Sequence, residues 1–363
     1  MISYGIMTTI SISNIHRYTF TVAMGYLTLC HITRIYIFGY GIDNSIFSGP
    51  LMMATQKITT LAFQIHDGIG IKAEELTKEQ NELVLKRRPS LLEYLSYQLN
   101  FLTVLAGPCS NYKDYIAFIE GRHVQMKLLE VNWKRWDCDR FPDPSPVGAV
   151  LHKLCIALVW LIVSIILSKS FPVTYLVDDQ FISEFSFLSK LGFLYLVVQA
   201  LKAKHYFAWT LVDAIHNAAG YGFSGVDEKG NFHWDLLTNL NIMNIEMATS
   251  FKMYIENWNI HTIAWLKRVC YNRVPQYRTA LTFLLSAFWH GVYPGYYFTF
   301  ITGIFMTLAG RIIRKNFRHC FISPKPLKIS YDIATWLVTQ LSVCYTVAPF
   351  VLLTVESTVK FYK

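Results

Sequence analysis

Long apolar runs alternate with short charged segments along this chain. The longest run, Thr279 to Gly310, holds 32 residues without an Asp, Glu, Lys or Arg. Runs of roughly 18 or more apolar residues read as bilayer-spanning, so this one accommodates one long helix or two shorter ones. The sequence Val292-Tyr293-Pro294-Gly295 predicts two, because proline removes a backbone donor and glycine tolerates positive φ.

The other runs fall into line around it. Thr19 to Gly41 predicts a span, with His31 and Arg34 near its end facing protein or snorkelling to the interface. Gly148 to Ser168 is the clearest span, Phe185 to Ala200 a further one, and Ser330 to Val355 the last. Met1 to Ile12 is apolar but too short to cross. Leu51 to Ile65 mixes Met52, Met53, Ile58, Leu61, Ala62 and Ile65 with Gln56, Lys57, Thr59 and Gln64. That pattern predicts an amphipathic helix, either a bundle helix with one polar face or one lying on the bilayer. Leu91 to Ala106 predicts another apolar element, stopped at Gly107-Pro108.

Between the runs, Lys72 to Pro89 reads as a solvated helix and loop. Trp133 and Trp136 beside Lys134 and Arg135 fit an interfacial anchor, and Pro142, Pro144 and Pro146 mark a turn. Trp209, Asp213, His216, Asn217 and Tyr221 stand among alanines and glycines. Asp213, Asn217 and Gly220 share a helical face, which fits a substrate passage or tight packing through small residues. Gly220, Gly222 and Gly225 have the spacing of a nucleotide loop, but a membrane helix precedes them instead of a strand. A tight turn is expected at Glu228 to Asn231.

Composition settles the class. Hydrophobic residues make up 53% of the 363, and charged residues only 16%, below the roughly 25% of soluble domains. The predicted fold is all-α, a polytopic integral membrane helix bundle with a buried reaction chamber, organised as one domain over residues 1–363. The net charge of +9 is carried by short segments between apolar runs, where positive-inside bias and anionic head groups explain it and nucleic acid is not expected. Lys267, Arg268, Arg273 and Arg278 precede the long run. Arg311, Arg314, Lys315, Arg318, Lys325 and Lys328 follow it with no acid among them. Two cytosolic clusters would require the run to go in and return, in agreement with a break near Pro294. Seven scattered cysteines without a CxxC imply neither a disulfide framework nor a zinc site. No cleavable signal peptide, Asn-x-Ser/Thr sequon or KDEL-type ending is evident.

Candidate chemistry centres on His290, in SAFWHGVYPGYYFTF. It lies 12 residues beyond Arg278, about 18 Å along a helix, so it is deep. An intramembrane ionisable group is a functional candidate, with a hydrogen-bonded packing histidine as the plainer reading. Asn259 is the second candidate. On a continuous helix Ile255, Asn259, Thr262 and Leu266 fall on one buried face and Asn257 opposite, and a buried carboxamide requires a hydrogen-bond partner.

The segment ENWNIHTIAWL, Glu256 to Leu266, followed by LTFLLSAFWHGVYPGYYFTF, resembles the signature of the membrane-bound O-acyltransferase family, in its lysophospholipid acyltransferase branch. The likeness extends over essentially the whole chain, although the resembled enzymes begin upstream, so the first membrane helices of longer relatives are expected to be lacking. Residue by residue, the family's asparagine falls on Asn259 and its histidine on His290. The resemblance implies acyl transfer from acyl-CoA, a co-substrate and not a resident cofactor, to the free hydroxyl of a lysophospholipid in the endoplasmic reticulum membrane. Within the branch it points to acceptors such as lysophosphatidylethanolamine and lysophosphatidylserine and to monounsaturated donors. His290 would act as general base, and Asn259 would orient the reacting groups or donate to the oxyanion.

No metal is expected, and no H-x-x-x-D, H-E-x-x-H or G-x-S-x-G occurs. Trp258, Phe288, Tyr296 and Phe298 are candidates for lining the lipid chains. Two other readings stand beside this one: O-acylation of a protein or sterol, and a non-catalytic transporter with His290 as proton relay.

Overall fold

The computed structural model describes residues 1–38, 48–105, 107–130, 144–227 and 229–362. Gly41, Ala106, Trp133 to Pro142 and Glu228, invoked above, lie outside the described residues. Helices dominate: α1 (Ile2–Thr9), α2 (Ile15–Phe38), α3 (Ser48–Gly70), α4 (Lys78–Leu83), α5 (Leu91–Leu99), α6 (Phe101–Val104), α7 (Tyr112–Ile119) and α8 (His123–Glu130) come first. They are followed by α9 (Val147–Ser170), α10 (Asp179–Glu184) and α11 (Phe187–Ala218). A hairpin of β1 (Gly225–Val226) and β2 (Phe232–His233) pairs Gly225 with His233 and Val226 with Phe232. After it come α12 (Ile242–Glu246), α13 (Phe251–Asn257), α14 (Ile260–Leu266), α15 (Arg278–His290), α16 (Pro294–Phe317), α17 (Lys325–Leu352) and α18 (Val355–Tyr362).

Among the described residues three helical stretches are long and apolar enough to cross a membrane: Val147–Val177, Pro294–Phe321 and Lys325–Leu352. The first has a mean hydropathy of 2.5 and little of it is buried within the protein, as expected for a helix whose partners are lipid chains. The second begins at the break foreseen near Pro294, which separates α15 from α16. Pro294 occupies the first position of α16, where its missing N–H costs nothing. The runs beginning at Thr19 and Phe185 form the 24-residue α2 and the 32-residue α11 but are not among those three stretches.

The chain divides into two compact units, one of Met1–Cys155, Thr210–Thr238 and His261–Arg273, the other of Ile156–Trp209, Asn239–Ile260 and Val274–Lys363. In the first, α3 packs along α2 and takes the bundle reading of its mixed pattern. Gln56, Lys57, Thr59 and Gln64 all point inward, each 2% exposed or less. Gln56 donates to Thr262 Oγ1 (2.9 Å), the Trp265 indole donates to Thr59 Oγ1 (2.9 Å), and Lys57 donates to Thr103 Oγ1 (3.0 Å) while lying over the Tyr97 ring. Buried polar groups are costly without partners, and the partners of Gln56, Lys57 and Thr59 cross-link the unit. The apolar element expected over Leu91 to Ala106 is two helices. Asn100 breaks it and accepts the Leu102 N–H on its own side chain, the competition with helix that asparagine offers.

Asp213 and Asn217 are held by partners within this unit, whereas a Cβ on Gly220 would meet nothing within 4 Å. Asp213 pairs with Lys153 (2.7 Å) and accepts from the Thr238 hydroxyl (2.7 Å), and Asn217 donates to Trp234 O (3.2 Å). A Cβ on Gly222 would sit 1.7 Å from Asn217 Oδ1. Of the first basic cluster, Arg273 forms a two-toothed pair with Asp67 (2.8 and 2.5 Å), with Asp67 itself buried. Arg273 is therefore a structural tie.

In the second unit α15, α16 and α17 pack in sequence, and α13 packs on α16 and α17. Glu246, at the end of α12, accepts from the Tyr206 hydroxyl (2.6 Å) and Lys202 (2.9 Å), while its carbonyl accepts from Trp336 and Gln340 of α17. These bonds tie α11, α12 and α17 together around the polar end of an otherwise apolar core.

Candidate active site

His290 is the last residue of α15, because Gly291 leaves the helix with φ 137° and donates its N–H back to Ala287 O (3.2 Å). The imidazole sits in an aromatic enclosure. Phe300 stacks on it at 5.3 Å between centroids, Phe350 meets it edge-on at 5.1 Å, and Trp289 and Tyr296 lie at 4.8 and 5.8 Å. Three of these rings come from α16 and α17, so their docking decides the shape of the enclosure. That docking depends on Gly295, whose N–H donates to Leu353 O (2.8 Å) and whose missing side chain lets α16 approach the end of α17. Tyr296, one of the candidates for lining the lipid chains, lies beside His290. Phe288 and Phe298 are largely exposed, 37% and 41%. Phe300 and Phe350 were missed, since nothing in a helical run of aromatics marks which one turns inward.

Asn259 lies in the same compact unit, but not on a helix face. The continuous helix expected through Glu256 to Leu266 is interrupted: α13 stops at Asn257, Trp258 pairs antiparallel with Leu240, and α14 starts at Ile260. Asn259 itself is left-handed, with φ 52°, a conformation that asparagine tolerates better than most residues. The helical-wheel argument separating Asn259 from Asn257 therefore fails, although the two still differ in role. Asn257 donates to Met253 O (2.8 Å) and accepts from Asn244 (3.0 Å), a purely local tie. Asn259 accepts from Asn239 Nδ2 (3.1 Å). Trp258 anchors the turn against Trp209, His205, Tyr206 and Tyr254 at ring separations of 5.5, 5.5, 6.0 and 6.2 Å. It belongs to a packed aromatic cluster.

Fold and site together define a class: a helical membrane protein that holds an imidazole among aromatic rings and, in the same unit, a carboxamide on a left-handed turn. The chain belongs to the membrane-bound O-acyltransferase family, whose model it matches over residues 9–348. It is 65% identical over all 363 residues to membrane-bound glycerophospholipid O-acyltransferase 1 of Mus musculus, covering 74% of that protein. It is 53% identical over 361 residues, 99% of this chain, to membrane-bound glycerophospholipid O-acyltransferase 2 of Homo sapiens, 69% of which it covers. A lysophospholipid acyltransferase of Saccharomyces cerevisiae is 31% identical over 352 residues, 92% of this chain and 57% of that protein.

Proposed function

We propose that this protein transfers a fatty acyl group from acyl-CoA to the free hydroxyl of a lysophospholipid, as a multi-pass enzyme of the endoplasmic reticulum membrane. The observation that carries the reading is the enclosure of His290 by Trp289, Tyr296, Phe300 and Phe350, which supplies a proton acceptor in surroundings suited to lipid chains. The names of the relatives, glycerophospholipid and lysophospholipid acyltransferases, agree with it.

In this scheme the lysolipid hydroxyl gives its proton to a ring nitrogen of His290 as its oxygen attacks the thioester carbonyl. The C–O bond forms, the C–S bond breaks, and the proton passes from the imidazolium to the departing thiolate. Asn259 either orients the reacting groups or donates to the carbonyl oxygen as negative charge develops there. Acyl-CoA is a co-substrate and no resident cofactor takes part. Lysophosphatidylethanolamine and lysophosphatidylserine with monounsaturated donors are the acceptors and donors that the sequence signature favours.

The test is direct. Membranes containing the protein are given labelled acyl-CoA and a panel of lysophospholipids differing in head group. Incorporation into diacyl phospholipid that depends on His290 is expected. Failure on every lysophospholipid, with transfer to a sterol or a peptide instead, would overturn the acceptor class.

A further inference from the structure

The conformation of Asn259 is set from outside its own segment. Residues 239–241 run beside residues 257–260: Asn241 N–H donates to Asn257 O (3.1 Å) and Ile260 N–H to Asn239 O (2.9 Å). Leu240 and Trp258 form the bridge between them. These contacts hold the backbone turn in which Asn259 is left-handed. The remaining freedom is the rotation of the Asn259 amide, and one side chain controls it. Asn239, 5% exposed, donates its Nδ2 to Asn259 Oδ1 (3.1 Å).

In a primary amide the acceptor oxygen and the donor nitrogen lie in one plane, on opposite sides of the Cβ–Cγ axis. With its oxygen engaged by Asn239, Asn259 presents its Nδ2 away from that neighbour. We infer that Asn239 is a positioning residue that makes Asn259 a hydrogen-bond donor at the reacting centre, directed at the acyl carbonyl oxygen and not at the attacking hydroxyl's proton. A donor is what a developing oxyanion requires, and one held in place before reaction costs no reorganisation in the transition state. The inference rests on the assignment of Asn259 to the reaction site and chooses between its two possible roles there. Within the sequence nothing marks Asn239: it lies in WDLLTNLN, which reads only as a polar loop.

The polarity of the pair can be reversed almost without change of shape. In Asn239→Asp the carboxylate only accepts, so it captures Asn259 Nδ2 and turns the amide oxygen toward substrate. Initial rates are measured for the full-length protein in membranes, with labelled acyl-CoA and the best lysophospholipid acceptor. Asn239→Asp is expected to lower kcat about a hundredfold, the scale of a lost oxyanion donor, with both KM values unchanged. Asn239→Ala, which frees the amide to rotate, is expected to lower kcat about five- to tenfold.

A double-mutant cycle separates positioning from mere support of the fold, using Asn259→Gly because glycine accepts the left-handed turn. Once Asn259 is glycine, Asn239→Ala should change kcat by less than about twofold, since the two act as one unit. Additive losses in the cycle, or full activity of a folded Asn239→Asp protein, would overturn the inference. If Asn239→Asp does not fold, the alanine cycle alone decides. An inactive wild type on the whole acceptor panel would instead refute the proposed function, so the two failures are told apart.

Discussion

Gly295 gives the sharpest test of how the His290 enclosure is built. A Cβ at this position would lie 2.0 Å from Pro349 O, 2.9 Å from Leu353 Cα and 2.9 Å from Leu353 O. All three are backbone atoms, which cannot swing aside as a side-chain tip can. Gly295→Ala must therefore move the start of α16 off the end of α17, and the bond from Gly295 N–H to Leu353 O (2.8 Å) goes with it. Overpacking costs about 1–3 kcal/mol and the bond about 1 kcal/mol, together about 2–4 kcal/mol. The displaced elements carry Tyr296, Phe300 and Phe350, so a shift of about 1 Å at the imidazole is expected to lower turnover about a hundredfold.

The same helix contains its own controls. At Gly303 the nearest atom to an added Cβ is Cε1 of Phe283 at 2.7 Å, a movable ring, and at Gly310 nothing lies within 4 Å. Gly310→Ala should stabilise by about 1 kcal/mol or less through helix propensity, with Gly303→Ala between the two extremes. Thermal unfolding is followed in detergent by a maleimide dye that reports exposure of the buried Cys344 and Cys109, in a background where the remaining cysteines are replaced by alanine. A fall of about 3–5 °C is expected for Gly295→Ala in a chain of 363 residues and none for Gly310→Ala. If Gly295→Ala melted with the wild type and kept its turnover, the close approach of α16 to α17 would not be what shapes the enclosure. Gly291, by contrast, is a poor probe of a passage, because its φ of 137° makes any side chain there strained irrespective of space.

The remaining predictions concern chemistry and orientation. His290→Ala should abolish acyl transfer while the protein remains inserted and folded, and His290→Phe, which keeps a ring among the four aromatics, should be equally inactive; measurable turnover in either would remove the histidine from the mechanism. Asn259→Gly should lose about a hundredfold or more in kcat, whereas Asn257→Ala, which gives up bonds to Met253 and Asn244, should lower the melting temperature more than the turnover; equal kinetic losses would erase the distinction between them. Ser323, exposed between α16 and α17 and amid the basic residues Arg311 to Lys328, is expected on the cytosolic side. In a cysteine-free background Ser323→Cys should react with an impermeant maleimide from that side, and labelling only from the lumen would reverse the orientation and the route of acyl-CoA.

Much of this molecule was determined by local rules that act on neighbouring residues. The apolar runs that become α9, α16 and α17 follow from the requirement that a bilayer-spanning backbone bond to itself beneath apolar side chains. The stop at His290 and the restart at Pro294 follow from proline and glycine chemistry. The family signature across Glu256 to Phe300 singled out Asn259 and His290. Tertiary structure decided the rest, because it turned on partners distant in sequence. Whether Gln56, Lys57 and Thr59 faced water or protein depended on Thr262, Thr103 and Trp265, which answer their hydrogen bonds. The helix expected through Asn259 was broken by residues 239–241, whose backbone competes for the N–H and C=O groups of 257–260, a competition invisible to a periodicity of 3.6. The rings around His290 were likewise chosen by the docking of α16 on α17 at Gly295, since a helix of aromatics exposes some ring in every direction and only a neighbour's shape selects the ones that meet the imidazole.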